Sequence, residues 1–212
     1  MTKERRHTQF VDDGVCPEFA FDRRDVIKLG TALVAGVSVI GINDAAATAQ
    51  ENPAKLPLQP GDRFQIIRGA LKNKFLQPDM LEVGSKPFEA FPFDPTGEML
   101  RRRNRLNRVL VLQLDPDEMD DKTRERSVEG VLAYSALCTH RACTIKSWKA
   151  KERNLRCHCH LSEFAALAEG GVVRGPAKRQ LPMVPLSLDD DGFVIAVDGF
   201  TGKPGGGQEV VA

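Results

Sequence analysis

The sequence carries little net charge, few cysteines and no long apolar run. Its formal net charge is +1 at pH 7 over 212 residues. A nearly neutral chain gives no case for nucleic-acid binding, because that function usually needs a strongly basic surface. Five cysteines are few for the disulfide scaffold of a small secreted domain. We also find no internal repeat and no glycine-rich phosphate-binding loop. With 42% hydrophobic and 28% charged residues, most of the chain is expected to be globular.

The longest apolar run, residues 29–42, covers only 14 residues and includes three glycines. A helix needs about 20 apolar residues to span a bilayer comfortably. Arg23 and Arg24 precede this run, and small residues follow it at 45–49. A charged start, an apolar core and an Ala-x-Ala ending are typical of a bacterial secretory signal. The paired arginines resemble a twin-arginine (Tat) signal.

Residues 1–49 are therefore predicted to be a Tat-type signal peptide that is removed after export. Two alternatives stay open for this segment. It is retained as a single-helix anchor in the inner membrane through residues 29–42, or it is a buried helix of the folded domain. Either exported form places the rest of the chain in the periplasm. We interpret Cys16 as a free thiol in this segment.

The remainder of the chain is predicted to be mainly β. Residues 50–62 are rich in Pro, Gln and Asn and are expected to be a linker, followed by one domain over 63–205 and a flexible tail over 206–212. A short helix is expected around 96–104. Many short strands separated by turns indicate an antiparallel β-sandwich or barrel. The strands are expected at 63–68, 109–114, 128–137, 155–157, 183–188 and 193–197, with a hairpin turn at 189–192.

A basic run lies before the second of these strands. It consists of Arg101, Arg102, Arg103, Arg105 and Arg108. We interpret it as a solvated face beside the strand, and a docking patch for an acidic protein partner is the alternative.

Four of the five cysteines and three of the four histidines lie in two short clusters. Residues 138–143 read Cys-Thr-His-Arg-Ala-Cys, and residues 157–162 read Cys-His-Cys-His-Leu-Ser. Each cluster offers one thiolate and one imidazole at close spacing, from Cys138 with His140 and from Cys157 with His160. Two thiolates and two imidazoles satisfy either one tetrahedral zinc ion or an asymmetric two-iron cluster.

Each cluster also carries a spare cysteine, Cys143 in the first and Cys159 in the second. A zinc site gives no reason for this extra pair, and a disulfide could join the two, since exported proteins can keep such a bond. A c-type haem needs Cys-x-x-Cys-His, and the second cluster is one residue too short for that motif. We find no separate catalytic constellation, so any substrate is expected to react in another chain.

The two clusters resemble the boxes of Rieske [2Fe–2S] proteins, Cys-Thr-His-Leu-Gly-Cys and Cys-Pro-Cys-His-Gly-Ser. The resemblance runs from about residue 132 to residue 186. It includes Gly-Pro-Ala at 175–177 and Leu-Pro at 181–182, which resemble the proline-containing third loop that covers the cluster in this family. It implies a Rieske-type antiparallel β-fold with a cluster-binding subdomain and one [2Fe–2S] cluster per chain.

The resemblance also implies a ligand set. Cys138 and Cys157 are expected to bind one iron through sulfur, and His140 and His160 to bind the other through nitrogen. Two imidazoles in place of two thiolates remove negative charge around one iron, which raises the reduction potential to about −150 to +300 mV. The spare cysteines, Cys143 and Cys159, are expected to form a disulfide between the two loops.

Two residues that are not ligands are expected to tune the reduction potential of the cluster. Ser162 matches the family serine that donates a hydrogen bond to a cluster sulfur and raises the potential further. Phe164 stands where many quinol-oxidising members have a tyrosine whose hydroxyl bonds a ligand sulfur. Phenylalanine has no hydroxyl, so the potential of this protein is expected to be lower than theirs.

Several residues depart from the pattern of quinol-oxidising Rieske proteins, and these departures bear on which partner protein the chain serves. Arg141 replaces the leucine that contacts quinone, and Ala142 and Leu161 replace glycines. His158, which we interpret as a neighbour and not a ligand, replaces a proline. The string Ala-Tyr-Ser-Ala-Leu-Cys-Thr-His at 133–140 looks more like the small subunit of arsenite oxidase.

That second resemblance implies an electron-transfer subunit of an exported oxidoreductase complex. Such a subunit passes electrons from a larger, molybdenum-containing catalytic subunit to a c-type cytochrome or a similar acceptor. The alternatives are the Rieske subunit of a bc1-type quinol:cytochrome c oxidoreductase, a stand-alone Rieske protein, and a structural zinc protein. The sequence names neither the substrate of the complex nor the electron donor and acceptor.

Overall fold

The structure is a computed structural model that describes residues 52–207. The signal predicted at 1–49, with its anchor alternative at 29–42 and with Cys16, lies outside the described residues. Within residues 52–207, no helix has the length and apolar character needed to cross a membrane.

The described residues form short strands with very little helix, which confirms the mainly β prediction. Between residues 52 and 207 there is one α-helix, α1 (Asp121–Glu125), and single 3₁₀ turns span Pro53–Lys55, Pro78–Met80, Arg105–Asn107 and Pro116–Glu118. The strands are β1 (Arg63–Ile66), β2 (Phe88–Asp94), β3 (Met99–Leu100), β4 (Val109–Gln113), β5 (Val131–Ser135), β6 (Ser147–Lys149), β7 (Asn154–Arg156), β8 (Glu163–Ala165), β9 (Gly171–Arg174), β10 (Met183–Val184), β11 (Leu186–Leu188) and β12 (Val194–Ala196).

Eight of these strands form an antiparallel sheet that nearly closes on itself. Its order is β10-β5-β4-β2-β1-β12-β11, with β3 paired to β2. The two edge strands, β10 and β11, follow each other in the chain and are separated only by Pro185. Proline has no backbone N–H to leave unpaired, so it suits the point where the chain passes from one edge to the other. Because one continuous segment supplies both edges, the sheet curls into a barrel.

Strands β4 and β5 are buried on both faces. Successive side chains of a strand point to opposite faces. Val109 and Val111 belong to the barrel core, whereas Leu110 and Leu112 belong to a second core beneath a smaller sheet. Tyr134 of β5 lies in that second core. This double burial explains why these strands read as nearly continuous apolar runs.

The smaller sheet is inserted between β5 and β10 and has the order β6-β7-β8-β9. Leu155 and Phe164 face each other across β7 and β8, and both are fully buried against the barrel. The hydroxyl of Tyr134 donates a hydrogen bond of 2.9 Å to the carbonyl of Ala166, which ties the barrel to the insertion. The first cysteine cluster precedes this sheet and the second lies within it.

The helix expected around 96–104 does not form. The side chain of Asp94 accepts hydrogen bonds from the backbone N–H groups of Thr96 and Gly97, which makes a turn. A short polar side chain that binds nearby backbone in this way competes with a helix. The chain then turns back, and Met99 and Leu100 pair with β2.

The described part of the predicted linker, residues 52–62, packs on the barrel. Ala54 and Leu58 are buried. The side-chain amide of Asn107 accepts from the N–H of Leu58 at 2.9 Å and donates to the carbonyl of Leu56 at 2.8 Å. Two apolar side chains and one buried amide therefore make this segment part of the domain.

The basic run is not one solvated face. Arg101 is 5% exposed, and its guanidinium binds the carboxylate of Asp62, itself 2% exposed, at 2.9 Å. Arg108 pairs with Glu89 at 3.0 Å. Removing one partner of a buried ion pair leaves an uncompensated charge. Arg101 and Arg108 therefore stabilise the fold through their ion pairs. The exposed members of the run are Arg102, Arg103 and Arg105.

Candidate metal centre

Two loops of the insertion carry the predicted site residues, and a third is the loop predicted to cover the site. The first loop, residues 137–144, connects β5 to β6. The second loop, residues 157–162, connects β7 to β8, and the third loop, residues 175–182, connects β9 to β10. The second loop joins two neighbouring strands, β7 and β8. Because β10 pairs with β5, the start of the first loop lies beside the end of the third.

The structure brings the four predicted thiols together. Cys138 and Cys157 are 1% exposed, and their side chains are within hydrogen-bonding reach of each other. The sulfurs of Cys143, Cys157 and Cys159 all lie within 4.8 Å of one another. Cys143 and Cys159 likewise share a hydrogen bond, and all four thiols are free. The sulfurs thus fall into a buried pair and an outer pair.

The two predicted histidine ligands also meet. The ring centroids of His140 and His160 lie 4.7 Å apart with the ring planes at 88°. His140 is half-buried and its Nδ1 is a buried atom without a hydrogen-bond partner, whereas His160 is exposed. Burial, followed by the neighbouring His160 and Arg141, lowers the pKa of His140. An unpaired ring nitrogen on a neutral imidazole is ready to bind a metal.

The protonation of the thiols fits the same interpretation. Burial raises the pKa of the Cys157 thiol to about 12. The hydrogen bond from Cys159 is the largest cause that raises the pKa of Cys143. The chain alone therefore keeps these sulfurs protonated, and a bound metal must displace the protons of its thiolate ligands.

Tight backbone turns shape both cysteine loops. In the first loop the N–H of Ala142 donates to the carbonyl of Cys138 at 2.8 Å, and in the second the N–H of Cys157 donates to the carbonyl of Ser162 at 2.9 Å. Ala142 has a φ of 54° and Leu161 a φ of 60°. This left-handed region favours glycine and costs other residues about 1–2 kcal/mol. Ala142 and Leu161, which replace glycines of the family boxes, thus lie at turn positions whose backbone conformation favours glycine.

The donor set fits a two-iron cluster. Two buried thiols and two imidazoles converge, the imidazoles lie on the more exposed side, and one imidazole nitrogen is unpaired within the fold. A single tetrahedral metal fits the same four donors, so this geometry alone leaves both open.

The comparison with known families decides between them. A model of the Rieske [2Fe-2S] domain matches residues 106–185. A cytochrome bc1 complex Rieske iron-sulfur subunit from Streptomyces lividans is 34% identical over 132 residues, which cover 60% of this chain and 76% of that protein. The chain belongs to the Rieske [2Fe–2S] family. It therefore binds a [2Fe–2S] cluster, which when bound accepts and releases electrons.

Other relatives share a smaller part of their length with this Rieske protein. The corresponding bc1 subunit from Streptomyces coelicolor is also 34% identical over 132 residues, but these cover 37% of that protein. A Rieske subunit named for a respiratory nitrate reductase, from Haloferax mediterranei, is 33% identical over 101 residues, which cover 48% of this chain and 45% of the relative.

The second and third loops of the Rieske domain are joined through Ser162. This residue is 1% exposed, and its hydroxyl accepts a hydrogen bond from the N–H of Ala177 at 3.2 Å. An accepted bond leaves the hydroxyl proton available for a second partner. The predicted role of Ser162 as a hydrogen-bond donor to the cluster is compatible with this placement.

Phe164 lies in the interior of the domain, on β8. Its side chain is fully buried and belongs to the same packed core as Cys138 and Cys157. His158 is exposed beside the second loop. The core position of Phe164 makes it a residue through which the surroundings of the buried thiols can be changed.

Sequence reasoning missed the residues that hold the loops in place. The guanidinium of Arg105 donates to the carbonyl of Ala142, and the hydroxyl of Thr139 donates to the carbonyl of Arg179 at 2.7 Å. The first bond joins the barrel to the first loop, and the second joins the first loop to the third. Arg105 carried a signal as part of the basic run, but nothing in the sequence linked it to residue 142.

A buried carboxylate beside the second loop was also missed. Glu163 is 2% exposed, and its Oε1 lies close to three cationic groups from three other strands. These are Lys149 at 3.3 Å, Arg156 at 3.4 Å and Arg174 at 3.6 Å. A carboxylate shared by three partly exposed cations links all four strands of the smaller sheet next to Ser162.

Proposed function

We propose that Cys138 and Cys157 bind one iron of the cluster through sulfur, and that His140 and His160 bind the other through nitrogen. The observation that carries this assignment is the pairing within the site. The two buried thiols adjoin each other, and the two imidazoles lie at 4.7 Å with one buried nitrogen unpaired.

Alanine variants test this ligand set. His140→Ala and Cys157→Ala should each abolish the rhombic EPR signal of the reduced protein and the visible absorption of the oxidised protein. His158→Ala is the matched control, because His158 is exposed and lies between two site cysteines. A normal cluster in His140→Ala, or loss of the cluster in His158→Ala, would contradict the assignment.

The outer sulfurs, those of Cys143 and Cys159, form a disulfide in the mature protein under this proposal. They come from different loops and already share a hydrogen bond. Exported proteins meet the oxidising conditions that such a bond needs. Mass spectrometry of the alkylated, air-purified protein should find neither thiol free, and Cys143→Ser should lose about 3 kcal/mol of stability. Alkylation of both cysteines in intact protein would rule the bond out.

The protein as a whole serves as the electron-transfer subunit of an exported complex whose catalytic subunit contains molybdenum. The exposed side chain of Arg141, next to His140, carries this part of the proposal. A guanidinium beside the half-buried His140 and the exposed His160 is a poor match for an apolar quinone pocket and a good match for a polar protein surface. A relative named for a nitrate reductase is in keeping with such a partner. A c-type cytochrome or a similar small redox protein is the proposed acceptor.

A bc1-type quinol:cytochrome c oxidoreductase is the second candidate. It is favoured by the Streptomyces lividans relative, of which the chain spans 76%. The two candidates differ in what purifies with the chain from native membranes and periplasm. Molybdenum in fixed ratio to this subunit would support the first candidate, and b-type haem in fixed ratio, with quinol oxidation, would replace it with the second.

Export by the Tat pathway completes the proposal. A domain whose proposed ligands come from two separate loops holds its cluster only once it is folded, and the Tat route carries folded cargo. Changing Arg23 and Arg24 to lysine should trap cluster-loaded protein in the cytoplasm, with periplasmic delivery measured by fractionation. Normal delivery of this double variant would rule out the route. The length of the product in the periplasm distinguishes a cleaved signal from a retained anchor.

A further inference from the structure

The last described residues lie against the first loop. Gly205, the last residue of the predicted domain, is buried, and Gly206, the first residue of the predicted flexible tail, is half-buried. A methyl group built on Gly206 would stand 2.6 Å from the Cα of Arg141 and 2.8 Å from the N of Ala142. Atoms this close to backbone cannot be accommodated without movement, so only glycine permits this approach. The packed domain thus extends at least to residue 207.

The third loop holds the glycine run at 205–207 in place through Arg179. One guanidinium nitrogen donates to the carbonyl of Lys203 at 3.1 Å, and the other donates to Gly205 at 2.9 Å and Gly207 at 3.2 Å. The backbone carbonyl of Arg179 in turn accepts from the hydroxyl of Thr139. Residues 203–207 are therefore connected to the third loop by side-chain bonds and, through it, to the first loop.

The segment that Gly206 covers is the peptide between Arg141 and Ala142, one residue beyond His140. Arg105 donates to the carbonyl of Ala142 from the barrel, while Gly206 packs on the N of Ala142 and the Cα of Arg141. A methyl group built on Gly205 would stand 3.3 Å from the Cβ of Ala142, so Gly205 also lies near this turn. Ala142 itself has a left-handed backbone, with a φ of 54°. A strained turn next to a ligand needs such support to keep one conformation.

We infer that residues 203–207 form a C-terminal strap that positions His140 by holding the turn after it, with Gly206 and Arg179 as positioning residues. The strap sets how firmly the first loop retains the cluster and how the His140 ring is aimed at its iron. This inference rests on the assignment of His140 as a ligand. It goes beyond that assignment because no residue of the strap belongs to the ligand boxes.

The first test is Gly206→Ala in the full chain, with Gly199→Ala as the matched control. No atom lies within 4 Å of a methyl group on Gly199, and its backbone is not left-handed. In Gly206→Ala the cluster should be lost to a chelator about tenfold faster, corresponding to about 1.4 kcal/mol. The reduction potential and the EPR g-values should also shift. Gly199→Ala should match the unchanged protein in all three measurements.

Two further variants keep the test independent of folding defects. A stop codon after Lys203 removes strap residues 204–207, whereas a stop codon after Gly207 leaves the strap intact. Arg179→Gln removes the guanidinium that binds three strap carbonyls. The shorter truncation and Arg179→Gln should reproduce the faster cluster loss and the shifted potential, and the longer truncation should not. In the cluster-free chain, the same two variants should speed hydrogen exchange of the Ala142 amide.

The strap inference is overturned if the chain ending at Lys203 folds, as judged by circular dichroism, and shows unchanged cluster loss, potential and amide exchange. It is equally overturned if Gly199→Ala and Gly206→Ala have the same effect. Failure of the ligand assignment looks different, since His140→Ala would then retain a normal cluster whatever the strap variants do.

Discussion

The hydroxyl of Ser162 and the backbone N–H of Ala177 form a hydrogen bond of 3.2 Å that joins the second loop to the third. The bond is buried, and Ser162 is next to the turn that contains Leu161. It is reinforced by a close approach of backbones, since a methyl group on Gly175 would stand 2.5 Å from the Cα of Ser162. One side chain thus connects two loops, and its hydroxyl keeps a proton that it can donate to a further acceptor.

Ser162→Ala should lower the reduction potential of the cluster. A hydroxyl that donates to a cluster sulfur stabilises the reduced, more negative state, and a hydrogen bond to a charged group contributes about 1.5–3 kcal/mol. Only the difference between the two redox states moves the potential, so we expect a fall of tens of millivolts, with about 59 mV for each tenfold change. Protein-film voltammetry measures it, with Ser187→Ala in β11 as the control. An unchanged potential would show that Ser162 serves only the bond to Ala177.

Leu161→Gly should stabilise the protein. Leu161 has a φ of 60° and its side chain is 43% exposed, so the strain of the left-handed backbone is offset by little burial. Relief of that strain is worth about 1 kcal/mol, which raises the midpoint of thermal unfolding by about 2–4 °C. Leu161→Ala is the control, because it removes the same exposed carbons but keeps the Cβ that causes the strain. If both variants behave alike in calorimetry, the backbone at this position is not strained.

The grouping of the site cysteines and histidines could be predicted from the sequence because the proposed ligands come in two contiguous boxes. Cys138 and His140 are separated by one residue, so their closeness is a property of a single turn. The β-strands of the barrel could also be predicted, since apolar residues alternate with polar ones in strands such as β1 and β12 and mark the face that is buried. The hairpin between β11 and β12 was predicted from its run of aspartates and glycine, and in the structure Leu188 pairs with Val194 across it.

The parts that could not be predicted are contacts between distant positions. Arg101 looked like a surface charge until the structure showed Asp62, 39 positions earlier, buried against it. Arg179 and the glycine run at 205–207 are far apart in sequence, and no local pattern reveals that one binds the other. The failed helix at 96–104 has a local cause, the side chain of Asp94, that outweighed an otherwise helix-compatible composition.

Glu163→Gln should weaken the fold and raise the potential. The variant leaves Lys149, Arg156 and Arg174 without their shared carboxylate, and removing one partner of a buried pair costs about 3 kcal/mol or somewhat less where the cations reach water. It also removes a negative charge next to Ser162, which favours the reduced cluster. Chemical denaturation and voltammetry measure the two effects. Glu152→Gln is the control, because Glu152 is 53% exposed and its pair with Lys149 is long, at 3.9 Å. Equal effects of both variants would contradict a special role for Glu163.

Phe164→Tyr should raise the potential by tens of millivolts. Phe164 is fully buried in the core that contains Cys138 and Cys157, and it is two residues beyond Ser162. A tyrosine keeps the aromatic packing and adds one donor, which a ligand sulfur can accept. A buried hydroxyl without a partner would cost about 1–3 kcal/mol, so stability reports whether the bond forms.

The outcome for Phe164→Tyr is decided by two measurements on the same protein. A higher potential with unchanged unfolding free energy means that the new hydroxyl donates to a ligand sulfur. An unchanged potential with a loss of stability means that the ring faces away from the sulfurs, and the alignment of the second box beyond Ser162 is then wrong. Phe93→Tyr, in β2 of the barrel, is the control, because Phe93 packs on Phe75 at 4.8 Å in a separate part of the domain. That substitution should leave the potential unchanged, since any hydroxyl it adds lies outside the core that contains the ligand thiols.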